Sequence, residues 1–348
     1  MKYALALCSA LLMVLIAIFP SQDIEGASSA LTSWATVVVP SLMPFFIVSR
    51  LFLESGAAGA ISRLLGPVTR RVFAMPDALG YVFLSSMLGG YPLGAKLTAD
   101  LYARGAVSRQ EAQSLVCCTS TSGPLFIIGA VSVGMLGSAS FAPYLLIPHY
   151  GAILLISAVA GRIFPRSAPR KTPRLASCTS IGDALASSVT SAVSSMLSVG
   201  GLMAVFSVAL SCLWSLPVLP DGIFRCFFSG ILEMTTGCIQ SALLSDELRL
   251  VFLSGIISFG GLCVHAQTHA VCAFSGLKLK WFSLVKLIHG VLAALLTWGA
   301  LRLFPLSQAT FALTPQKYGG PVLAGAAVLL CIAVVATIIR LVLQSRQK

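Results

Sequence analysis

The stretch GGYPLGAK, from Gly89 to Lys96, interrupts one apolar segment, and CCTSTSGPLF, from Cys117 to Phe126, interrupts the next. Both combine glycine and proline with nearby hydroxyl-bearing or aromatic side chains. Glycine and proline release backbone N–H and C=O groups from helical hydrogen bonding, and hydrocarbon tolerates this only where protein or a water-filled cavity satisfies those groups. Two broken helices in succession therefore predict a binding or translocation site, with a matching pair expected in the other half of the chain.

The composition places the chain in a membrane. Of its 348 residues, 57% are hydrophobic and 10% are charged, and the mean hydropathy is +0.93, which excludes an ordinary soluble domain. The net charge of +12 comes from bases in short loops between apolar segments, a pattern of cytoplasmic loops and not of nucleic-acid binding. The ten cysteines show no CxxC or Cys/His metal spacing, so they are predicted to be small buried hydrophobes, and no metal or cofactor is expected.

The apolar segments predict an all-α polytopic membrane protein with about eight transmembrane helices and two re-entrant helical hairpins. The predicted crossings span residues 3–20, 31–53, 112–137, 144–164, 181–216, 248–276, 287–304 and 321–343, and the hairpins span 78–103 and 222–244. Each hairpin arm has about a dozen residues, which at about 1.5 Å per residue reaches only the midplane of a ~30 Å hydrocarbon core.

The first apolar segment has two readings. Tyr3 to Pro20 follows Lys2 and could be a signal peptide, with small residues at Ala27–Ala30 for cleavage. Because the segment is long and those residues lie well past its end, a retained helix is expected. After it, PSLMPFF (40–46) predicts a kink, and the bases at 63, 70 and 71 predict an amphipathic connector at the cytoplasmic interface.

The charge distribution decides between hairpins and full crossings. With both hairpins re-entrant, the linker of five bases falls inside with the other basic loops and both termini, while the acids at 23, 25, 221, 246 and 247 fall outside. If both segments crossed fully, that linker would be external, against the positive-inside rule. The expected location is therefore the cell membrane, with both termini cytoplasmic. The five bases of the linker are Arg162, Arg166, Arg170, Lys171 and Arg174.

The two halves of the chain are predicted to be repeats. A shift of 140 residues places His149 on His289 and Gly90 on Gly230, and residues 149–165 then show six identities in seventeen positions. Because the two hairpins enter from opposite faces, these would be inverted repeats with a site between their broken helices. The predicted divisions are residues 1–30 (first helix and external turn), 31–165 (first repeat), 166–180 (basic cytoplasmic linker), 181–305 (second, inverted repeat) and 306–348 (last helix).

Several motifs together resemble a known family. They are PSLMPFF (40–46), GGYPLGAKLTADL (89–101), TSTSGPLFIIGAVSVG (119–134), ILEMTTG (231–237) and SFGGLCVHAQTHA (258–270). They resemble the sporulation integral membrane proteins of the YlbJ family, within the nucleoside-recognition or Gate domain group. The resemblance covers roughly Ser41 to Phe304, and the wider group is similar to parts of concentrative nucleoside transporters, ferrous-iron transport proteins and spore maturation proteins. The resemblance implies that the two predicted repeats of this chain are Gate-like domains. Ser120, Thr121 and Thr236 depart from it where asparagine is expected, which would alter the substrate.

Glu233 is the most conspicuous candidate site residue. A carboxylate at the middle of a membrane costs about 2.5–3.5 kcal/mol, so it normally faces a cavity with a partner or a proton. It is predicted either to be the proton or cation site of a transporter or to be paired with a backbone N–H at the hairpin tip. Lys96 is predicted to extend toward the cytoplasmic face or to serve as the counter-charge of Glu233.

The other candidate residues make or line the helix breaks. They are Gly90, Tyr91, Pro92, Gly94, Thr119, Ser120, Ser122, Gly123, Pro124, Thr235, Thr236, Gly260, Gly261, His265, Gln267 and His269. The hydroxyls could bond the carbonyl four residues back or point into the site. His265 and His269 share a helix face but lack a third metal ligand, so they are predicted to line a pathway or to bond between helices. His149 and His289 are predicted to lie near opposite faces, as caps or interface residues.

Three classes of function are compared. A permease would bind a small polar solute, nucleoside-like or ionic, at a midplane site, with half-helix N-termini holding a polar or anionic group. A structural or assembly protein of the spore-forming membrane would keep the fold and fill the site. An intramembrane enzyme is not expected, because HAQTH (265–269) is not HExxH and no GxSxG elbow occurs. The expected partners are the bilayer and a small solute or coupling ion, no nucleic acid is expected, and oligomerisation is left open.

Overall fold

The computed structural model describes residues 2–163, 180–216, 221–244 and 246–305, and within these ranges the chain is helical with no strand. Most of the predicted linker and the predicted last helix lie outside the described residues. The first half contains α1 (Lys2–Ile18), α2 (Pro20–Ser33), α3 (Val39–Glu54), α4 (Ala57–Val72), α5 (Ala78–Gly89), α6 (Leu93–Ala103), α7 (Arg109–Thr119) and α8 (Ala142–Ile163). The second half contains α9 (Ile181–Trp214), α10 (Ile223–Leu232), α11 (Met234–Ala242), α12 (Asp246–Phe259), α13 (Gly261–Ala273) and α14 (Phe282–Leu303). Two π-helical segments, Trp34–Val38 and Phe126–Met135, precede α3 and α8.

Within the described residues, four helical stretches are long and apolar enough to cross a membrane, and the number rises to six if each of two bent pairs forms one span. The four are 139–162, 181–214, 248–273 and 282–303; the pairs are 6–18 with 20–38, bent by 107°, and 42–54 with 57–72, bent by 87°. The predicted crossing at 112–137 is not among them. It consists of α7, a non-helical break and the short π-helical segment.

The predicted external turn after Pro20 is instead helical, as α2. Proline suits the first turn of a helix because its missing N–H would have no intrahelical partner there. A small residue of α2 serves packing: a Cβ added at Gly26 would lie 2.7 Å from Oγ of Ser211 on α9. Small residues let helices approach closely in membranes.

The basic connector forms α4, an amphipathic helix that follows the bend after α3. Its buried positions include Gly66 and Thr69, whereas Arg63, Arg70 and Arg71 are exposed. This arrangement agrees with the predicted amphipathic character of the segment.

Both predicted hairpins are sharp reversals of the chain. A Cβ at Gly94 of α6 would lie 2.8 Å from Oγ of Ser86 on α5, and a Cβ at Gly237 of α11 would lie 2.2 Å from Cα of Gly230 on α10. In a continuous helix, residues seven or eight apart are separated by about 10–12 Å along the axis. The short helices therefore fold back on each other at Gly90–Pro92 and at Glu233.

The two helices that follow the hairpins are broken, as predicted. In the first, α7 ends at Thr119 and residues 120–123 are non-helical before the chain turns helical again at Pro124. In the second, α12 and α13 are separated by Gly260, whose φ of +88° is unfavourable for other residues. With the 140-residue shift, the end of α7 falls on the end of α12, and α8 falls on α14 over their whole length.

The final described helix begins earlier than predicted. We expected the helix to start at Leu287 and Lys286 to belong to a cytoplasmic loop, but α14 begins at Phe282 and contains Lys286. The Lys286 side chain is fully buried. The interior of the molecule therefore contains a lysine that the sequence interpretation placed in a loop.

Candidate functional site at the convergence of four helix breaks

The turn of the first hairpin lies against both broken helices. A Cβ added at Gly90 would lie 2.8 Å from the backbone nitrogen of Gly123, and one at Gly260 would lie 3.5 Å from Cζ of Tyr91. Gly90 has a φ of +71°, so a side chain there would be strained as well as obstructed. The Gly90–Pro92 turn is therefore in contact with residues of both breaks.

The second hairpin contacts the second break directly. A Cβ at Gly261 would lie 3.0 Å from the backbone nitrogen of Met234 and 3.2 Å from the carbonyl oxygen of Gly230. The Glu233 break between α10 and α11 thus lies beside the Gly260–Gly261 break. A continuous set of contacts joins all four interruptions, which is the convergence that the sequence predicts.

Lys286 brings a basic side chain into this centre. Its Nζ is 2.7 Å from the hydroxyl oxygen of Tyr91, 2.9 Å from the carbonyl oxygen of Ser120 and 2.8 Å from Nδ1 of His289. An ammonium has three N–H donors, and here each has an acceptor. Among the described residues, no carboxylate forms an ion pair with Lys286.

His149 and His289 face each other across α8 and α14. Their ring centroids are 4.9 Å apart, and both side chains are fully buried. Nε2 of His289 donates to the carbonyl oxygen of His149 at 2.9 Å. Nε2 of His149 accepts from the backbone N–H of Ser122 at 3.1 Å, and its Nδ1 lies 2.8 Å from Oγ of Ser258. Because Nε2 is an acceptor, the neutral ring carries its proton on Nδ1.

Two tyrosines complete the connections among the breaks. The Tyr91 hydroxyl donates toward the carbonyl oxygens of Ile257 and Ser258, both at 3.3 Å. The Tyr150 hydroxyl donates to the carbonyl oxygen of Ser122 at 2.8 Å. Backbone groups freed by the helix breaks are therefore satisfied by protein side chains, as a membrane interior requires.

The sequence interpretation did not place Lys286, His149 and His289 in the centre. It put the lysine in a loop and the histidines near opposite faces. The two helices begin at Ala142 and Phe282, seven residues before each histidine, and both rings are fully buried. The signal that could have found the pair was present: the two histidines are equivalent under the 140-residue shift, and equivalent positions can meet at a pseudo-twofold axis.

Glu233 is buried, with 5% of its surface exposed, and acts as the N-cap of α11. Its carboxylate accepts from the backbone N–H groups of Thr235 and Thr236 at 2.9 and 2.7 Å, and from the Thr236 hydroxyl at 2.9 Å. A carboxylate at a helix N-terminus is stabilised by those donors and by the helix dipole. This geometry is the second of the two alternatives predicted for Glu233.

Replacing Glu233 by alanine is expected to lower the free energy of unfolding by about 1–2 kcal/mol, because the α11 N–H groups lose their acceptor. Asparagine is also a favourable N-cap residue, so Glu233→Asn is expected to regain most of this loss. Thermal unfolding of the purified protein in detergent measures both. Equal unfolding temperatures for Glu233→Ala and the wild type would contradict the capping role.

Lys96 does not pair with Glu233. Its Nζ lies 3.0 Å from Asp100, one turn further along α6. Asp100 also forms an ion pair with Arg50, whose Nη1 lies 2.5 Å from Oδ2, and Arg50 donates to Glu54 at 2.9 Å. Arg104 completes this ion network by pairing with Glu54. The network joins α3 to α6, and Lys96 pairs with Asp100 of its own helix and not with Glu233, so the predicted counter-charge role of Lys96 is wrong.

The HAQTH segment is divided between the interior and the surface. His265 is buried, with Nδ1 3.1 Å from Oγ of Ser283 and Nε2 3.1 Å from the carbonyl oxygen of Phe259. Gln267 is buried and its amide contacts Sγ of Cys263 at 3.3 Å, whereas His269 is exposed. His265 thus bonds between helices and to the Phe259 carbonyl beside the break, and His269 points away from the centre.

The hydroxyls at the first break bond mainly within their own helix. Thr119 and Ser120 donate to the carbonyl oxygens of Leu115 and Val116 at 2.7 and 2.8 Å, four residues back in each case. Gly94 packs beneath this end of α7, where a Cβ would lie 2.4 Å from the Thr119 carbonyl oxygen. The remaining candidates, Pro92, Ser122, Gly123, Pro124, Thr235 and Thr236, lie at the breaks and are buried or partly buried.

The fold and the centre define a polytopic helical membrane protein whose polar interior is built from interrupted helices. Residues 35–139 match the family described as Gate, nucleoside recognition, a range that contains the first hairpin and the first break. The chain is 32% identical over 322 residues to the sporulation integral membrane protein YlbJ of Bacillus subtilis (strain 168), covering 81% of this chain and 79% of the relative. The chain belongs to the YlbJ family. No solved structure matches it.

Proposed function

We propose that the chain is a permease that moves a small polar solute across the membrane of sporulating cells, through the centre between the four helix breaks. The observation that carries this proposal is the buried Lys286 and its contacts with Tyr91, Ser120 and His289. A buried charge in a membrane protein normally belongs to a substrate or ion pathway. Discontinuous helices meeting at such a group are typical of secondary transporters.

We further propose that the two halves are inverted repeats with eight crossings in total and both termini in the cytoplasm. The coincidence of α7 with α12 and of α8 with α14 under one shift supports the repeat. The contact between the equivalent histidines, 149 and 289, supports a pseudo-twofold axis at the centre. The exposed bases of α4 and the basic residues that follow α8 support the orientation.

The charge of the centre favours a solute with an anionic group. Lys286 has no carboxylate partner among the described residues, and the carboxylate of Glu233 is occupied by the N–H groups of its own helix. A solute carboxylate can replace the Ser120 carbonyl as an acceptor for Nζ and form a stronger, charge-assisted hydrogen bond. A neutral nucleoside gains less from an ammonium, and a cation is repelled by it.

One observation favours the alternative of a non-transporting structural or assembly protein. Lys286, His149 and His289 are fully buried and satisfy one another with neighbouring backbone groups. A centre filled in this way is also what a protein that only maintains a packed interior would have. Measuring solute movement distinguishes the permease from the non-transporting structural protein.

Proteoliposomes containing the purified chain are expected to take up labelled succinate faster than labelled uridine or choline. Lys286→Met, which removes the charge at similar size, is expected to abolish succinate uptake. Lys280→Met is the matched control, because Lys280 is exposed and lies outside the centre. If none of the three solutes is taken up, while Lys286→Met still supports spore formation in a Bacillus subtilis strain lacking the relative, the structural alternative is correct.

A further inference from the structure

Lys286 and His289 share one proton across their contact. The surrounding hydrogen bonds do not determine which of the two nitrogens carries it. Nζ of Lys286 and Nδ1 of His289 are 2.8 Å apart. If neither nitrogen carried a proton toward the other, two lone pairs would face each other at hydrogen-bond distance, which is repulsive. One proton must therefore lie between the two atoms.

The neighbouring groups determine which atom donates in the other hydrogen bonds of Lys286 and His289. Nε2 of His289 faces the carbonyl oxygen of His149, which only accepts, so this nitrogen is protonated. The Tyr91 proton is directed toward the carbonyls of Ile257 and Ser258, so the Tyr91 oxygen accepts from Lys286, as the Ser120 carbonyl does. The pair is thus either an ammonium with a neutral imidazole or an amine with an imidazolium. Both forms carry one positive charge.

We propose that Lys286 and His289 together are a proton-binding site, and that the proton they share is the coupling ion of the transport cycle. This inference rests on the proposed permease function. Protonation gives the pair a charge of +1, and release of the proton to water leaves the lysine amine and the neutral imidazole. A neutral amine has two N–H donors for the three acceptors of Nζ, which are the Tyr91 hydroxyl, the Ser120 carbonyl and Nδ1 of His289. One of these bonds is therefore lost on deprotonation, and the contacts that join α14 to the helix breaks loosen.

The groups around the Lys286–His289 pair do not compensate its charge when it binds or releases a proton. The titratable side chains that face it are Tyr91 of the hairpin turn, Cys117 of α7, His149 of α8 and His265 of α13. On α12, the neighbouring polar group is the backbone of Ser258, which bonds His289, while the Ser258 hydroxyl bonds His149. None of these is a carboxylate, so an entering anion would be the natural compensating charge for the ammonium. Proton and anion would then bind together.

The two repeats do not contribute equally to this site. The 140-residue shift places His289 on His149, but it places Lys286 on Leu146. His149 instead accepts from the backbone N–H of Ser122. One repeat therefore carries the lysine, and the inference includes a stoichiometry of one proton per chain in each cycle.

The test is a pH jump applied to the reconstituted chain on a solid-supported membrane, with no solute present. Proton binding within the membrane moves charge, so the wild type is expected to give a transient current whose amplitude follows a single-site titration. Lys286→Met and His289→Gln are each expected to lose this current, and Lys280→Met is expected to retain it. Size-exclusion chromatography identifies any variant that fails to fold.

Nuclear magnetic resonance of the chain with 15N-labelled histidine provides a second measurement. The wild type is expected to show two histidines whose resonances change as the medium is acidified, the exposed His269 and the buried His289. Lys286→Met is expected to alter the change at His289 and to leave the change at His269 as it is. If the folded wild type gives no pH-jump current, or if Lys286→Met and His289→Gln leave it unchanged, the proton site is overturned. A wild-type current without succinate uptake would instead overturn the proposed solute transport and keep the proton site.

Discussion

Replacing Glu54 by alanine is expected to lower the free energy of unfolding by about 3–5 kcal/mol, the typical effect of breaking a buried ion pair from one side. Glu54 is 6% exposed and accepts from both Arg50 and Arg104. Without it, Arg104 loses its ion-pair partner and Arg50 keeps only Asp100. The excess positive charge then stays in a largely buried environment, where desolvation is costly.

Asp77→Ala provides the matched control for this prediction. Asp77 pairs with Arg70, but their side chains are 35% and 57% exposed, and an exposed pair contributes only about 0.2–1 kcal/mol. Thermal unfolding of both variants in the same detergent, followed by tryptophan fluorescence, gives the comparison. Similar unfolding temperatures for Glu54→Ala and Asp77→Ala would show that the ion network does not hold α3 to α6.

Replacing Gly237 by alanine is expected to destabilise the chain by about 1–3 kcal/mol, because one added methyl group overpacks the second hairpin. The new Cβ would lie 2.2 Å from Cα and 2.6 Å from N of Gly230. These are backbone atoms, so the overlap is relieved only by moving α10 and α11 apart. That movement would displace the Glu233 break from its contact with Gly261.

The control for the hairpin substitution is Gly299→Ala in α14, where no atom lies within 4 Å of an added Cβ. Alanine favours a helix over glycine by about 0.5–1 kcal/mol, so this variant is expected to be slightly more stable than the wild type. The two substitutions add the same methyl group and should shift the unfolding temperature in opposite directions. A shift of the same sign and size in both would show that α10 and α11 are not tightly packed.

The positions of the helix breaks could be predicted from the sequence because local chemistry determines them. Glycine and proline act on the backbone of their own segment, so the hairpin expected over 78–103 corresponds to α5 and α6, and the break expected at Phe259–Gly261 occurs at Gly260. The same local reasoning was wrong for residues 21–30. Gly26 packs against Ser207 and Ser211 of α9, more than 180 residues away in the chain, and packing at that distance has no local signature.

The contents of the centre were harder to predict for the same reason. The partners of Lys286 at Tyr91 and Ser120 are 195 and 166 residues away in the chain. A lysine at the edge of an apolar segment has the same local pattern whether it lies in a loop or points into the interior. The sequence likewise left two roles open for Glu233, and only its geometry at the start of α11 distinguishes them.

The position of Lys286 within α14 has a consequence for biogenesis. It lies four residues after Phe282, about 6 Å along the helix, so during insertion its long side chain can still reach the lipid headgroups. The newly inserted helix therefore avoids the full cost of a charge in hydrocarbon. The lysine becomes buried only when α14 associates with the Gly90–Pro92 turn and the Ser120 break. Membrane insertion and charge burial are thus expected to be separate stages. A chain in which α14 is inserted but has not yet associated with these segments would still present its lysine to the membrane surface.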